Sequence, residues 1–370
     1  MKPLGVAVEA LSLAIGTFRL KQIEFSVSAG EVLVVLGPNG SGKSVMLETI
    51  AGFHRPDSGR IFIGGRDVTL LPPEHRRVGF VVQSFGLFPH LTVAANIAIA
   101  RRRPAGPSRA DPADGPFPVG DVAALMKHFE IANLADRLPN ALSPGEKQRA
   151  ALARALAAQP ALFLFDEPFS VLDAPTRDHL RGELSRFLRG FAIPAVFVTH
   201  DYTDAMTLAD RIAILRNGEL VQIGTAAEVS RAPATSFVAG YIGYENILAG
   251  EVINADVGRA TVAVGDKAIL VTTPNPLLSS RRHVRLCIRA DDVHLRFNAQ
   301  EDREQSLYTN RFRGKIVGLR AIGPVVTIDV DCGFIVRACI LGRDAQTMTP
   351  MMGDLVSLEF RADRIHVAGE

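Results

Sequence analysis

Cysteine is scarce in this 370-residue sequence: Cys287, Cys332 and Cys339 are all it has. An odd number without a C-x-x-C pair argues against a disulfide framework and against a cysteine zinc site, so the three read as small buried hydrophobes. Long apolar runs are missing as well. No stretch approaches the roughly 18 residues that a membrane-spanning helix needs, and the N-terminal MKPLGVAVEALSLAIG has no small-residue cleavage site after a clear apolar core. A soluble, cytoplasmic chain is expected. Nor is there an excess of one charge: 41 Lys+Arg against 39 Asp+Glu leave +2, which does not mark a nucleic-acid binder. What is present, 47% hydrophobic and 22% charged residues, is a globular composition. The length fits roughly two to three domains.

Up to about residue 240, the apolar runs VLVVLG (32–37), RVGFVVQ (77–83), ALFLFDEP (161–168) and PAVFVTH (194–200) alternate with helical stretches. That is the pattern of an α/β domain, 1–240, with a largely parallel sheet. Helical periodicity between the second and third runs predicts a helical subdomain inserted at about 84–160. Within it, RRRPAGPSRADPADGPFPVG (101–120) reads as an exposed loop. From 241 to 370, short alternating strands separated by Gly, Pro, Asn and Asp predict a β-rich domain. It carries an internal repeat: AGEVI (249–253) returns as RGKIV (313–317), and IRADDVHL (288–295) as FRADRIHV (360–367). Two tandem β units, at about 241–302 and 303–370, are therefore expected.

GPNGSGKS (37–44) follows the strand VLVVL and precedes a helical segment, the context of a phosphate loop. Gly37, Gly40 and Gly42 let backbone N–H groups converge on phosphate oxygens, with Pro38, Asn39 and Ser41 completing the turn. Lys43 reaches terminal phosphates, Ser44 offers a hydroxyl to Mg²⁺, and the helix N-terminus favours the anion. In ALFLFDEP a strand delivers Asp166 and Glu167 at its C-terminal end, where open α/β sheets bind ligands. Asp166 can hold Mg²⁺ through its water shell, and Glu167 can polarise an attacking water. His200 ends PAVFVTH at the same edge, within hydrogen-bonding reach of a γ-phosphate.

Together with Gln83 in VVQSFGLFPH, LSPGEKQR (142–149), SVLD (170–173) and VTHD (198–201), these motifs occur in the order that resembles the nucleotide-binding subunit of ATP-binding cassette transporters. The resemblance covers the first 240 or so residues. It implies a Mg²⁺-dependent ATPase in which Gln83 contacts Mg²⁺ and the attacking water, and Glu167, His200 and Gln83 are catalytic. It also implies a homodimer, with each ATP held between the phosphate loop of one copy and Ser143, Gly145 and Glu146 of the other, and with Asp173 communicating between the two sites. Membrane permease subunits, and through them an extracytoplasmic solute-binding protein, are the implied partners at the cytoplasmic face of the membrane. Phe85, Leu87 and Phe88 are the residues expected nearest the permease, with burial in the subdomain as the alternative.

Two departures from the family's pattern stand out. LSPGE replaces the usual LSGGQ: Ser143, Pro144 and Glu146 suit helix capping, and loss of one N–H plus an added negative charge predict weaker ATP closure. The expected aromatic platform for adenine is absent; Ile15 stands near its place, and Phe18, three residues on, reads equally as platform or core.

A single cassette followed by a small β domain resembles binding-protein-dependent importers. LFPHLTVAANIA and GYENILAGEV are similar to the branch that carries molybdate, tungstate, sulfate, ferric iron or sugars. The segment from TNRFRGKIVGLR to DRIHV looks most like the OB-like (TOBE/MOBE-type) appendage of molybdate/tungstate importers. The implied cargo is molybdate or tungstate, with sulfate, ferric iron, a sugar or a polyamine as alternatives. The appendage serves either as a dimerisation spacer or as a binder of the transported oxyanion, for which Arg311, Arg313, Lys315, Arg320 and Arg337 supply donors. A non-transport cassette ATPase acting on nucleic acid is the competing class; the heptad-patterned arms, zinc hooks or second cassette of such chains are missing, so no nucleic-acid partner is expected.

Overall fold

The computed structural model describes residues 4–100, 121–170, 172–256, 258–272, 275, 277–297 and 309–369. The loop expected at 101–120 lies outside the described residues. The chain forms two compact units, Met1–Ala226 and Ala227–Glu370.

The first unit begins β1 (Leu4–Ile15), β2 (Phe18–Ser28), β3 (Val32–Leu36), α1 (Lys43–Ala51), β4 (Ser58–Ile63), β5 (Arg66–Asp67) and β6 (Val78–Val81). Three helices follow, α2 (Val93–Ile99), α3 (Val122–His128) and α4 (Pro144–Ala157). The unit closes with β7 (Leu162–Asp166), α5 (Ala174–Arg189), β8 (Ala195–Thr199), α6 (Tyr202–Leu208), β9 (Arg211–Arg216) and β10 (Glu219–Thr225).

The principal sheet has the order β10-β9-β3-β8-β7-β6 and is parallel apart from the β9–β10 hairpin. Its central strands are covered on both faces, so VLVVL and AVFVT are buried throughout and show no alternation. Because β8 lies between β3 and β7, the segments that leave these three strands emerge side by side at one sheet edge. That edge is where the motifs lie. A second sheet, β2-β1-β4-β5, is antiparallel and shares one apolar core with the first through Val8, Ile23 and Ile61 on one side and Leu33, Leu164 and Val196 on the other. It was not foreseen, because β1 pairs with β2 through register shifts between Val8 and Leu13 that break the two-residue alternation. Helices α2, α3 and α4 pack on one another between β6 and β7. Thr92 and Asp121 cap α2 and α3 by accepting the N–H groups of Ala95 and Ala124.

The second unit contains α7 (Ala226–Arg231), α8 (Ser236–Tyr241), β11 (Asn246–Asp256), β12 (Arg259–Val264), β13 (Lys267–Val271), β14 (His283–Ile288) and β15 (His294–Arg296). It continues with β16 (Thr309–Ile322), β17 (Val325–Asp331), β18 (Ile335–Leu341), β19 (Leu355–Arg361) and β20 (His366–Ala368). The boundary expected after 240 falls earlier because the two helices are tied to the β-rich part. His366 Nε2 meets the Pro233 carbonyl at 2.8 Å, Thr235 bridges to Gly369, and Arg289, stacked 4.5 Å over the Tyr244 ring, donates to the Ser230 carbonyl at 3.2 Å.

Two five-stranded sheets, β13-β12-β11-β14-β20 and β15-β19-β16-β17-β18, face a common core that includes Ile269, Leu286, Val330, Leu358 and Phe360. The two repeats of the sequence are visible here, but they do not form separate tandem units. In each repeat a strand runs into a single 3₁₀ turn, Ala290–Asp292 or Ala362–Arg364, and the short strand after it joins the other sheet. Thus β15 pairs with β19, and β20 pairs with β14. Ala290 and Ala362 are buried at the crossings. Cys287 and Cys332 are buried and Cys339 half-buried, all as free thiols; burial pushes the Cys287 thiol up to about 12.

Candidate nucleotide site

The phosphate loop leaves β3 at Gly37, which is glycine for a steric reason: a Cβ there would lie 2.3 Å from the Leu215 carbonyl oxygen on β9. At the other end Gly42 adopts φ +104°, in the left-handed region, and a Cβ would strike the tip of the Phe18 ring. Phe18 is therefore half-buried against the loop, whereas Ile15 is 39% exposed. Lys43 is buried, and its ammonium donates to the Gly37 carbonyl at 2.8 Å and to the Pro38 carbonyl at 3.1 Å. Desolvation holds its pKa below the usual lysine range. Asn39 and Gly40 are exposed at the loop tip, and Ser41 is buried with no partner for its hydroxyl.

Ser44 Oγ donates to Asp166 Oδ1 at 3.0 Å. Burial raises the Asp166 pKa above the usual carboxylate range, outweighing the Ser44 bond. Glu167, the next residue, sits at φ +45°, a conformation that costs a non-glycine residue about 1–3 kcal/mol and clusters at functional sites. It is held there by its N–H on the Val198 carbonyl at 3.0 Å and by the Ser170 hydroxyl, which donates to its carbonyl at 2.9 Å. The kink turns its carboxylate toward the phosphate loop. One oxygen lies 3.8 Å from Lys43 Nζ and the other 3.1 Å from His200 Nδ1. Lys43, Ser44, Asp166, Glu167 and His200 thus converge at one sheet edge.

Gln83 follows β6, which pairs with β7 at Val81–Phe165, so it emerges exposed at the same edge. In the turn after it the two expected placements divide among the three residues. Phe85, at φ +63°, is buried rather than presented to a partner, Leu87 is half-buried, and Phe88 is 42% exposed. Arg154 of α4 donates to the Phe85 and Gly86 carbonyls and lies 5.6 Å from the Phe88 ring centre. Fully buried Asn96 of α2 accepts the Phe88 N–H at 2.8 Å and donates to the carbonyls of Phe88, Leu91 and Thr92.

Ser143, Gly145, Glu146 and Asp173 stand at two helix N-termini rather than in the cluster. Around Ser143 the capping box is closed: Glu146 accepts the Ser143 N–H at 2.7 Å, and Ser143 Oγ accepts the Glu146 N–H at 3.4 Å. The first bond draws the Glu146 pKa below the usual carboxylate range. Pro144 occupies the first helical position, where no N–H is needed. Asp173 caps α5 through the Thr176 N–H at 3.0 Å, which lowers its pKa in the same way.

Sequence reading missed the side chains behind His200. Arg177 and Arg181 on α5 contact Asp201 and Asp204 on the segment after β8. The four-residue spacing of the arginines and three-residue spacing of the aspartates were the available signal.

The Ser44 hydroxyl and Asp166 carboxylate, side by side, with the Gln83 amide at the same edge, are hard oxygen donors of the type that Mg²⁺ takes. They are too few to enclose the ion, which fits a cation shared with nucleotide phosphates.

A parallel sheet that brings a phosphate loop, a strand-end carboxylate pair and a histidine to one edge, with helices inserted before the carboxylates, defines a phosphate-loop ATPase. Residues 20–170 match the ABC transporter family model. The chain is 36% identical over 361 residues to the molybdate/tungstate import ATP-binding protein of Pyrococcus horikoshii, covering 97% of this chain and 99% of that one. It is 44% identical over 253 residues to the sulfate/thiosulfate import ATP-binding protein of Caulobacter vibrioides, 67% of this chain and 73% of that one. A solved dimeric ATP-binding cassette in a post-hydrolysis state with ADP and Pi is 29% identical, with a TM-score of 0.50 over 60% of this chain and 98% of its own. The chain belongs to the ABC transporter family, among its importer ATPases.

Proposed function

We propose that this importer ATPase energises uptake of an inorganic oxyanion, molybdate or tungstate ahead of sulfate. The observation that carries the hydrolytic part is the Glu167 carboxylate, poised between Lys43 and His200 beside the phosphate loop. In this reading Glu167 takes the proton of the attacking water, while His200 orients that water and the γ-phosphate. Lys43 exchanges the Gly37 and Pro38 carbonyls for phosphate oxygens, which offset the cost of its burial. Gly40, Ser41 and Gly42 supply N–H groups to the phosphates. Ser44, Asp166 and Gln83 would hold Mg²⁺, which when bound neutralises charge on the phosphates.

The similar cassette bound to ADP and Pi is dimeric, which supports a homodimer in which Ser143, Gly145, Glu146 and Asp173 complete the site of the opposite copy. Exposed Phe88, on a turn fixed by Asn96 and Arg154, is the proposed point of contact with a membrane permease, itself served by an extracytoplasmic binding protein. Among the described residues no helix is long and apolar enough to cross a membrane, and attachment at the cytoplasmic face through the permease is the corresponding proposal.

For the cargo, the support is likeness to a molybdate/tungstate importer ATPase along nearly the whole chain. Sulfate is the second reading, favoured by higher identity over a shorter span. The second unit is read as one interlocked OB-like region that senses the oxyanion. Arg311 and Arg337 are engaged by Glu359 and Asp329, so exposed Arg313, Lys315 and Arg320 on β16 are the stronger donors there. Reconstitution with the permease and binding protein tests the assignment. Molybdate or tungstate should stimulate ATP hydrolysis and accumulate in vesicles, and stimulation by sulfate alone would transfer the assignment to sulfate.

A further inference from the structure

Helix α5 reaches both arms of the Glu167–His200 pair. On the histidine side, Arg181, whose side chain is 7% exposed, donates through Nε to Asp204 and through Nη2 to Asp201 Oδ2 at 3.2 Å. Its Nη1 donates to Asp178 on its own helix. Asp204 also accepts the Thr199 hydroxyl at 2.8 Å, and that hydroxyl accepts the Asp201 N–H at 3.1 Å. The residues on either side of His200 are therefore fixed. On the glutamate side, Arg177 Nη1 shares Asp201 Oδ2 at 3.3 Å, while its Nη2 donates to the Leu172 carbonyl at 3.0 Å. Leu172 closes the turn that begins at Glu167, through its N–H on the Phe169 carbonyl at 3.2 Å.

A guanidinium this deeply buried among three carboxylates is a poor source of stability, because the desolvation of each ion consumes most of the attraction. What a planar, multiply bonded arginine provides is fixed geometry. We infer that Arg177 and Arg181 are positioning residues, a clamp from α5 that sets the separation of Glu167 and His200 and so governs turnover rather than nucleotide binding. The inference rests on the reading in which those two side chains act in hydrolysis.

The test uses the purified full chain and Mg–ATP, with Arg181→Lys and Arg177→Lys retaining charge but losing the fork. Arg181→Lys should lower kcat about tenfold and Arg177→Lys about threefold, with KM for ATP within about twofold of wild type, because small misplacements of reacting groups act on rate. The ¹⁵N signal of the His200 ring should shift in both. A folded Arg181→Lys chain with wild-type kcat and an unmoved His200 signal would overturn the clamp, even with a lowered melting temperature. Should Arg181→Lys fail to fold, Arg177→Lys decides by the same criteria, since its side chain is 28% exposed and tolerates exchange. A wild-type chain without ATPase activity removes the hydrolytic reading and the clamp together. Turnover that is lost in Glu167→Gln but kept in both arginine variants removes the clamp alone.

Discussion

His200 Nδ1 lies 3.1 Å from Glu167 Oε2, across two neighbouring parallel strands. The contact joins a strained residue at the end of β7 to the residue that follows β8, and it fixes the direction of the carboxylate before any nucleotide arrives. Exchange of Glu167 for Gln keeps the shape and removes the base. ATP hydrolysis by Glu167→Gln should fall at least about 100-fold while ATP binding persists, as read by phosphate release and by a fluorescent nucleotide. Undiminished release would remove Glu167 from the chemistry.

Lys43 is expected to separate stability from function. Its pKa is depressed by burial, so the unfolded chain holds the proton more readily and the charged side chain works against folding. Lys43→Met should melt at or above the wild-type temperature without nucleotide, yet bind ATP about 100-fold more weakly. A strongly destabilised empty variant would show that the bonds to Gly37 and Pro38 outweigh desolvation.

Asn96 makes four hydrogen bonds with the backbone of the turn that carries Phe88. Asn96→Ala removes all four bonds from a half-buried turn, leaving the Phe88 and Thr92 carbonyls only their backbone donors, the Leu91 and Asn96 N–H groups, and urea denaturation should report a loss of about 1–3 kcal/mol. Permease-stimulated ATPase should fall more than the basal rate if Phe88 marks the contact; equal losses would count against that placement.

In the second unit His366 is half-buried against Pro233, and desolvation holds its pKa below the ordinary 6.5. The unfolded chain therefore binds the proton first. The neutral imidazole's contribution is complete above about pH 6.5 and is lost as pH falls through the lower folded value. Circular dichroism melts at pH 7.5 and 5.5 should show a smaller gap for His366→Gln than for wild type. An identical gap would assign the pH dependence to other groups.

The site was legible where its chemistry lies in consecutive residues. GPNGSGKS, FDEP and THD each follow an apolar strand, and strand ends dictate where they emerge. Of the Arg181–Asp204 pair only the spacings within each segment were legible, because the pairing itself depends on how α5 packs beside the segment after β8. For Phe85 exposure and burial stayed open for a similar reason: the left-handed backbone that turns the ring inward has no local signature. Likewise Arg337 reads as a free donor until β17 brings Asp329 opposite it. In the fold, bulges concealed the antiparallel sheet. The crossing of β15 and β20 was invisible because a short strand alternates identically whichever sheet receives it.

That reciprocal crossing makes the C-terminal region a clasp. The last few residues of each half are the missing edge of the other, so a chain cut near 300 yields two fragments that each lack a strand, instead of one half-sized module. Removing only 366–370 would strip β14 of one of its two neighbours and cost the helices at 226–241 their contacts through His366 and Gly369, leaving the Arg289–Ser230 bond as a tie. Repeats interlocked in this way make a region whose two sheets are complete only when both halves are present.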